Sequence, residues 1–158
     1  MSVFSYFQKL VLAASRLEDY GLAKTITSNS ESRPSGELFI NIKVELIDNS
    51  VLFIREYISA KQEYIEHFSY AYQYQAADES LIFRYDNAAH KPPLSSKEHK
   101  HLQNGEIVVC PLPTIELIID EILGWLTNWY PKRQTTLFLL TMLLFFTLTL
   151  YNNQIDKH

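Results

Sequence analysis

The residues best suited to chemistry lie close together in one stretch of the chain, residues 81–101. Three of the five histidines fall there among fixed positive charges and one carboxylate: His90, His99 and His101 beside Arg84, Asp86, Lys91, Lys97 and Lys100. Imidazole exchanges protons near neutral pH, whereas arginine and lysine stay positively charged. Cleavage of a phosphodiester needs a base, an acid and fixed positive charge. The stretch therefore predicts a site that binds and cleaves a phosphodiester.

Individual roles follow from the residue types. His99 and His101 are the candidate proton-transfer pair, because two imidazoles can act in turn as base and acid on an RNA 2′-hydroxyl and its leaving oxygen. If residues 99–101 are extended, these two share a face and Lys100 points away, whereas a coil would let all three converge. His90 is a third candidate catalytic residue, as a support or an alternative base. The candidate substrate-binding residues are Arg84, Asp86, Asn87, Lys91 and Lys100.

The same side chains have other uses. His90, His99, His101 and Asp86 could supply three nitrogens and one carboxylate to a metal ion. Their spacing matches no defined metal motif, and the intervening lysines would repel a cation, so we expect no metal and no cofactor. An exposed polar loop, an ion pair between Arg84 and Asp86, and a strand-end turn at 86–87 are the structural alternatives.

Composition sets bounds on the whole protein. The 158 residues suit one domain, and a net charge of −4 counts against broad, non-specific binding of nucleic acid. A single cysteine, Cys110, excludes an intrachain disulfide and a cysteine-rich metal site. The first ten residues lack the basic lead and the apolar core of a signal peptide. We therefore expect the body of the protein in the cytoplasm.

The elements that must position these residues follow from apolar periodicity. Steps of three and four predict a helix over 3–20 and another over 114–126, and alternation predicts strands over 38–47, 51–58, 64–74, 81–85 and 107–110. Residues 25–36 are predicted as a loop or an irregular first strand, and 86–100 as a loop. Short turns between the strands favour an antiparallel meander of about five strands. We predict one α+β domain over 1–130, with a helix at each end.

One strand face and one strand residue add further hypotheses. Alternation puts Tyr64, Tyr70, Tyr72 and Tyr74 on one face, with His67 on the other. Such a tyrosine face could stack on bases, or it could be core or an interface. Glu56 could orient one of the histidines.

The last residues, 131–158, form an apolar tail. Residues 135–151 carry no charge and approach the roughly 17-residue lower limit of a membrane-spanning helix. Basic residues before them would keep the body in the cytoplasm. A helix or strand buried on the domain or in a homodimer is one alternative. A segment foreign to the ancestral domain, such as a shifted reading frame yields, is another.

Several of these motifs together resemble the TumE-like toxins of toxin–antitoxin pairs. The similarity covers roughly 38–123 and rests on Arg55-Glu56-Tyr57, the run 70–75 (YAYQYQ), the run 82–87 (IFRYDN), His99-Lys100-His101 and the segment 113–122. Where the family usually has Asn-Ala-Pro-His-His-Pro, this chain has NAAHKP at 87–92, so Lys91 replaces one imidazole.

The resemblance implies a small growth-inhibiting toxin that a separately encoded helix-turn-helix antitoxin silences. Cleavage of RNA without a metal ion is our own inference from the cluster of His, Arg and Lys. The alternatives are a non-catalytic module that docks the antitoxin or another protein, and a membrane-tethered protein whose tail is the effector. The catalytic hypothesis makes the chain an endoribonuclease, and the others make it no enzyme.

Overall fold

The computed structural model describes residues 1–61 and 64–127, in which one helix precedes a single antiparallel sheet. The elements are α1 (Val3–Asp19), β1 (Ala23–Ser32), β2 (Glu37–Leu46), β3 (Val51–Lys61), β4 (Tyr64–Gln75), β5 (Leu81–Asp86), β6 (His99–Leu102) and β7 (Ile107–Val109). Residues 115–127 form a second helix, α2. Each strand pairs with the next along the chain, in the order β1 to β7. The predicted α+β architecture is confirmed, with seven strands in the described residues instead of about five.

The two additional strands lie where apolar periodicity is weak. β1 occupies most of the polar segment 25–36, so the strand alternative holds there; it is an edge strand, and polar residues on an edge prevent unwanted pairing. The predicted loop 86–100 is three residues shorter in the structure, because Asp86 ends β5 and residues 99 and 100 begin β6. A four-residue strand of histidine, lysine and one leucine shows no apolar alternation by which to recognise it.

Local signals fix both ends of α1. The Ser2 side chain accepts the Ser5 backbone N–H at 3.0 Å and caps the first turn. The helix ends before Gly21, whose φ of +67° suits the left-handed residue that follows many helices. There the Leu22 N–H donates to the Leu17 carbonyl at 2.8 Å. The buried stripe of α1 contacts β1, β2 and β3, and consists of Leu10, Ala13, Ala14 and Leu17.

Two leucines of α1 allow a matched test of this packing. Leu17→Ala is expected to lower the free energy of unfolding by about 2–5 kcal/mol, because the side chain is fully buried and its removal leaves a cavity. Leu12→Ala on the same helix is the control, since Leu12 is 72% exposed and its change should stay within about 0.5 kcal/mol. Equilibrium unfolding in urea measures both. Equal effects would contradict this placement of α1.

The sheet has two different faces. The face toward α1 is mostly apolar, and its buried apolar residues in β2 and β3 are Leu38, Ile40, Ile42, Val44, Leu46, Leu52, Ile54 and Ile58. The opposite face, here called the open face, carries Phe39, Asn41, Arg55 and Tyr57. Cross-strand partners share a face. Because Arg55, Ala71, Asp86 and His99 are successive partners, Asp86 and His99 also lie on the open face.

A bulge in β4 changes which side chains reach the helix. Tyr57 pairs with Ser69, but the next residue, Ile58, pairs with His67, so Phe68 is an extra residue in β4. One extra residue inverts the alternation beyond it. His67 consequently lies on the α1 face near Tyr70, with ring centroids 6.4 Å apart. The prediction that these two side chains lie on opposite faces was wrong for this reason.

The compact unit that contains α1 and the whole sheet extends from Met1 to Ile119. The predicted domain limit at 130 and the apolar tail lie outside the described residues, so the predictions for 131–158 stay predictions. Within residues 1–61 and 64–127, no helix has the length and apolar character needed to cross a bilayer.

Candidate functional site

Five residues of the stretch singled out in the sequence meet on the open face. This histidine cluster consists of Arg84, Asp86, His90, His99 and His101. Pairing of β5 with β6 sets His101 opposite Arg84 and His99 opposite Asp86. Because β6 is extended, His99 and His101 share a face, as the extended alternative predicted. The loop 87–98 then returns His90 to the same place.

The three imidazoles point the same nitrogen atom at one another. His99 Nε2 lies 2.9 Å from His90 Nε2 and 3.0 Å from His101 Nε2. Two oxygens of one carboxylate complete the group, with Asp86 Oδ1 3.2 Å from His99 Nε2 and Oδ2 3.4 Å from His101 Nε2. The His99 Nδ1–H donates to the Lys97 carbonyl at 2.7 Å. This bond fixes the orientation of the most buried ring.

Arg84 supplies the fixed positive charge of the cluster. Its Nε–H donates to Asp86 Oδ2 at 2.6 Å, and its Nη2 lies 3.0 Å from His101 Nε2. Burial alone would raise the pKa of the Asp86 carboxyl, but the Ala88 N–H and the Arg84 guanidinium hold it below its usual value. Burial, with the Arg84 charge, lowers the pKa of His101. The arrangement therefore favours an ionised Asp86 and a neutral His101.

Exposure separates the two members of the predicted proton-transfer pair. His99 is fully buried, whereas the His101 side chain is 16% exposed and the Arg84 side chain 36% exposed. A substrate approaching from solvent would meet Arg84 and His101. His99 lies behind them and can act only through its contact with His101 or His90.

The other predicted substrate-binding residues are not brought into the cluster. Asn87 binds backbone groups of β4, accepting the Tyr70 N–H at 3.1 Å and donating to the Phe68 carbonyl at 3.3 Å. Lys91 is exposed in the loop after His90. Lys100 points to the other face of the sheet, where its Nζ lies 4.7 Å from the centre of the Tyr85 ring.

A groove of about 550 Å³ lies on the open face and is lined by residues of β1 to β4. Its lining includes Arg55 and also Ala71, the strand partner of Asp86. Phe39 and Tyr57 stack in this groove with ring centroids 4.2 Å apart, and Phe68 next to them is 45% exposed. The Arg33 guanidinium also lies over the Phe39 ring, 4.9 Å from its centre, so the exposed Phe68 ring is the more accessible surface for a base.

The tyrosine face of β4 is not such a surface. Tyr70, Tyr72 and Tyr74 are at most 4% exposed, so the core alternative is confirmed for them and the base-stacking one was wrong. Tyr64, at the start of the strand, is 61% exposed.

A second polar cluster lies on the α1 face, and most of it was not predicted from the sequence. The buried Glu56 carboxylate accepts hydrogen bonds from the Tyr6 and Tyr72 hydroxyls and lies 3.3 Å from His67 Nε2. Glu56 thus contacts a histidine, as predicted, but His67 and not one of the open-face histidines. Its place between Ile54 and Ile58 in an inward-facing alternation was the signal for burial. The bulge that turns His67 inward left no such signal.

The fold and the site define a small α+β protein whose open sheet face combines imidazoles, a carboxylate and an arginine. A family model described as Toxin TumE matches residues 9–130, and the chain belongs to this family. It is a toxin of a toxin–antitoxin system, and an antitoxin is its partner. Searches among curated proteins and among solved structures found no match.

Proposed function

We propose that this toxin inhibits growth by cleaving RNA in the cytoplasm at the histidine cluster. The observation that carries the proposal is the contact between Arg84 and His101. Their side chains meet at 3.0 Å, and both reach solvent on the face that carries the groove. A fixed cation can bind a phosphate, and a neutral imidazole beside it can accept a proton from a neighbouring hydroxyl.

Each residue has a role in this proposal. Arg84 contacts the scissile phosphate and stabilises the charge that develops there. His101 accepts the proton of the RNA 2′-hydroxyl as a base and returns a proton to the leaving oxygen as an acid. His99, the other member of the pair predicted from the sequence, lies 3.0 Å behind His101 and acts through it. Asp86 orients both rings and Arg84, and this version of the chemistry uses protein groups alone.

The groove is the proposed path of the RNA strand. Arg55 and Asp86 lie two strands apart, which is about 10 Å at the usual strand spacing. Arg55 is therefore placed to bind a phosphate near the one held by Arg84. Phe68, which contacts Tyr57 and is 45% exposed, would contact a base. This local surface suits RNA despite the acidic net charge.

The proposed partner is a separately encoded helix-turn-helix antitoxin. A second candidate function is docking of that antitoxin without any enzymatic step, and the exposed aromatic side chains of the groove favour it, since exposed apolar patches often bind proteins. A homodimer also stays a prediction.

Expression in a bacterial host tests the proposal. The native chain and a His101→Gln variant are induced, growth and total RNA are followed, and both proteins are then purified and incubated with single-stranded RNA. We expect growth arrest with RNA cleavage by the native chain, and cleavage about 10²–10⁴-fold slower in the variant, the usual contribution of a proton-transfer residue. Growth arrest with intact RNA would overturn the proposal and favour docking alone.

A further inference from the structure

We propose that the histidine cluster binds one divalent transition-metal ion of the zinc type through His90, His99, His101 and Asp86. This inference goes beyond the proposed function: an ion bound to His101 would replace the contact between Arg84 Nη2 and His101 Nε2, so the metal-bound form is a second state of the same site. One nitrogen or oxygen from each of the four residues lies within 4.8 Å of all the others. Three imidazole nitrogens and a carboxylate oxygen form a donor set that suits zinc and its neighbours.

The separations around His99 Nε2 are close to those of a tetrahedral site, and small movements of the side chains would be needed to reach it. Metal–nitrogen bonds of about 2.0–2.1 Å place neighbouring ligand atoms about 3.3–3.4 Å apart. Around His99 Nε2 the observed separations are 2.9 and 3.0 Å to the other two imidazoles and 3.2 Å to Asp86 Oδ1. Hydrogen bonding explains these contacts only in part: with its hydrogen on Nδ1, a neutral His99 can accept an N–H from a neighbouring imidazole at Nε2, but its 3.2 Å contact with Asp86 Oδ1 then brings two acceptors together.

The groups behind the donor atoms are also those of a metal site. A carbonyl oxygen only accepts, so the 2.7 Å contact with the Lys97 carbonyl requires the hydrogen of His99 on Nδ1. The Nε2 lone pair then points into the cluster, as it does in metal-ligating histidines. Asp86 is held in the same manner, by the Ala88 N–H on Oδ1 and by Arg84 on Oδ2.

The objection raised by the intervening lysines does not apply to this geometry. Lys100 projects from the opposite face of the sheet, and Lys91 is exposed. The cation that does lie beside the donors is Arg84, whose Nη2 contacts His101 Nε2. For His101 to bind a metal, this Nη2 must turn away. The Arg84 side chain is 36% exposed and has room to do so while its Nε keeps the bond to Asp86 Oδ2.

Zinc binding by the full chain, without a histidine tag and after treatment with a chelator, tests the inference. Calorimetry gives stoichiometry and affinity, and the visible spectrum after addition of Co²⁺ reports tetrahedral nitrogen and oxygen ligation. We expect one ion per chain. His101→Gln should weaken affinity by at least about 100-fold, more than the roughly 10–100-fold that loss of an outer-shell partner costs. His67→Gln removes an imidazole on the other face and is the matched control.

A zinc affinity lower than that of a single surface histidine, or an equal loss of zinc affinity in His101→Gln and His67→Gln, would contradict the metal site. RNA cleavage by the metal-stripped chain and by the zinc-loaded chain is measured in parallel. Cleavage without any metal binding would contradict the metal site and leave the ribonuclease proposal in place. Metal binding that depends on His101 without cleavage would support the metal site and contradict the ribonuclease.

Discussion

Replacing Arg84 with methionine is expected to slow RNA cleavage by about 10²–10³-fold, the usual cost of removing one preorganised donor to a developing negative charge. Methionine keeps much of the length of the side chain and removes its charge. The guanidinium is the partly exposed cation of the cluster and contacts His101 at 3.0 Å. Arg84→Lys should recover part of the loss, because it restores the charge but not the planar pair of donors. Cleavage of an end-labelled RNA by purified protein measures the rates.

Lys100→Met is the control for Arg84→Met. Both cations were predicted to contact phosphate, but Lys100 lies over the Phe83 and Tyr85 rings on the other face. We therefore expect Lys100→Met to slow cleavage less than tenfold. Equal losses in the two variants would contradict the assignment of the open face as the RNA-binding face. Circular dichroism and urea unfolding show whether each variant still folds, which matters for Arg84 because it binds the buried Asp86.

The sequence was sufficient wherever alternation alone decides the position of a residue. The apolar residues of β2, from Leu38 to Leu46, recur at every second position because one face of the strand is buried. The same rule put Arg84 with Asp86, and His99 with His101 once the segment is extended. These pairs needed no knowledge of the partner strands. Predicting that the two pairs meet in one cluster does require the partner strands, because the register between β5 and β6 brings His101 opposite Arg84.

Two features depended on information that local patterns do not contain. The bulge at Phe68 carries no glycine or proline, so nothing marked the point where the alternation of β4 inverts. The contact between His67 and Glu56 on the α1 face could therefore not be predicted from the sequence. His90 reaches His99 through the loop 87–98, and that contact is fixed by tertiary structure alone. The grouping of His90 with His99 and His101 was predicted from the sequence, but their contact depends on long-range geometry, which also decides between a polar loop and a metal site.

The free energy of unfolding is expected to fall steeply above about pH 10, the pKa of an unfolded tyrosine. Burial raises the pKa of Tyr72 and Tyr74 well above this value, and the Glu56 carboxylate adds to the effect on Tyr72. Above about pH 10 the unfolded chain releases protons that the folded chain retains. The stability contributed by each hydroxyl is thus complete below that pH and is lost as pH rises toward the folded-state pKa.

Above about pH 10, each such tyrosine lowers the free energy of unfolding by about 1.4 kcal/mol per pH unit. Tyr74→Phe removes one of these protons, so the slope should become shallower by about that amount. Tyr64→Phe on the same strand is the matched control, since Tyr64 is 61% exposed. Urea unfolding at steps from about pH 8 to about pH 11 gives the slopes. The absorbance of tyrosinate should rise together with unfolding. Equal slopes for the native chain and Tyr74→Phe would contradict the protonated, buried state of this hydroxyl.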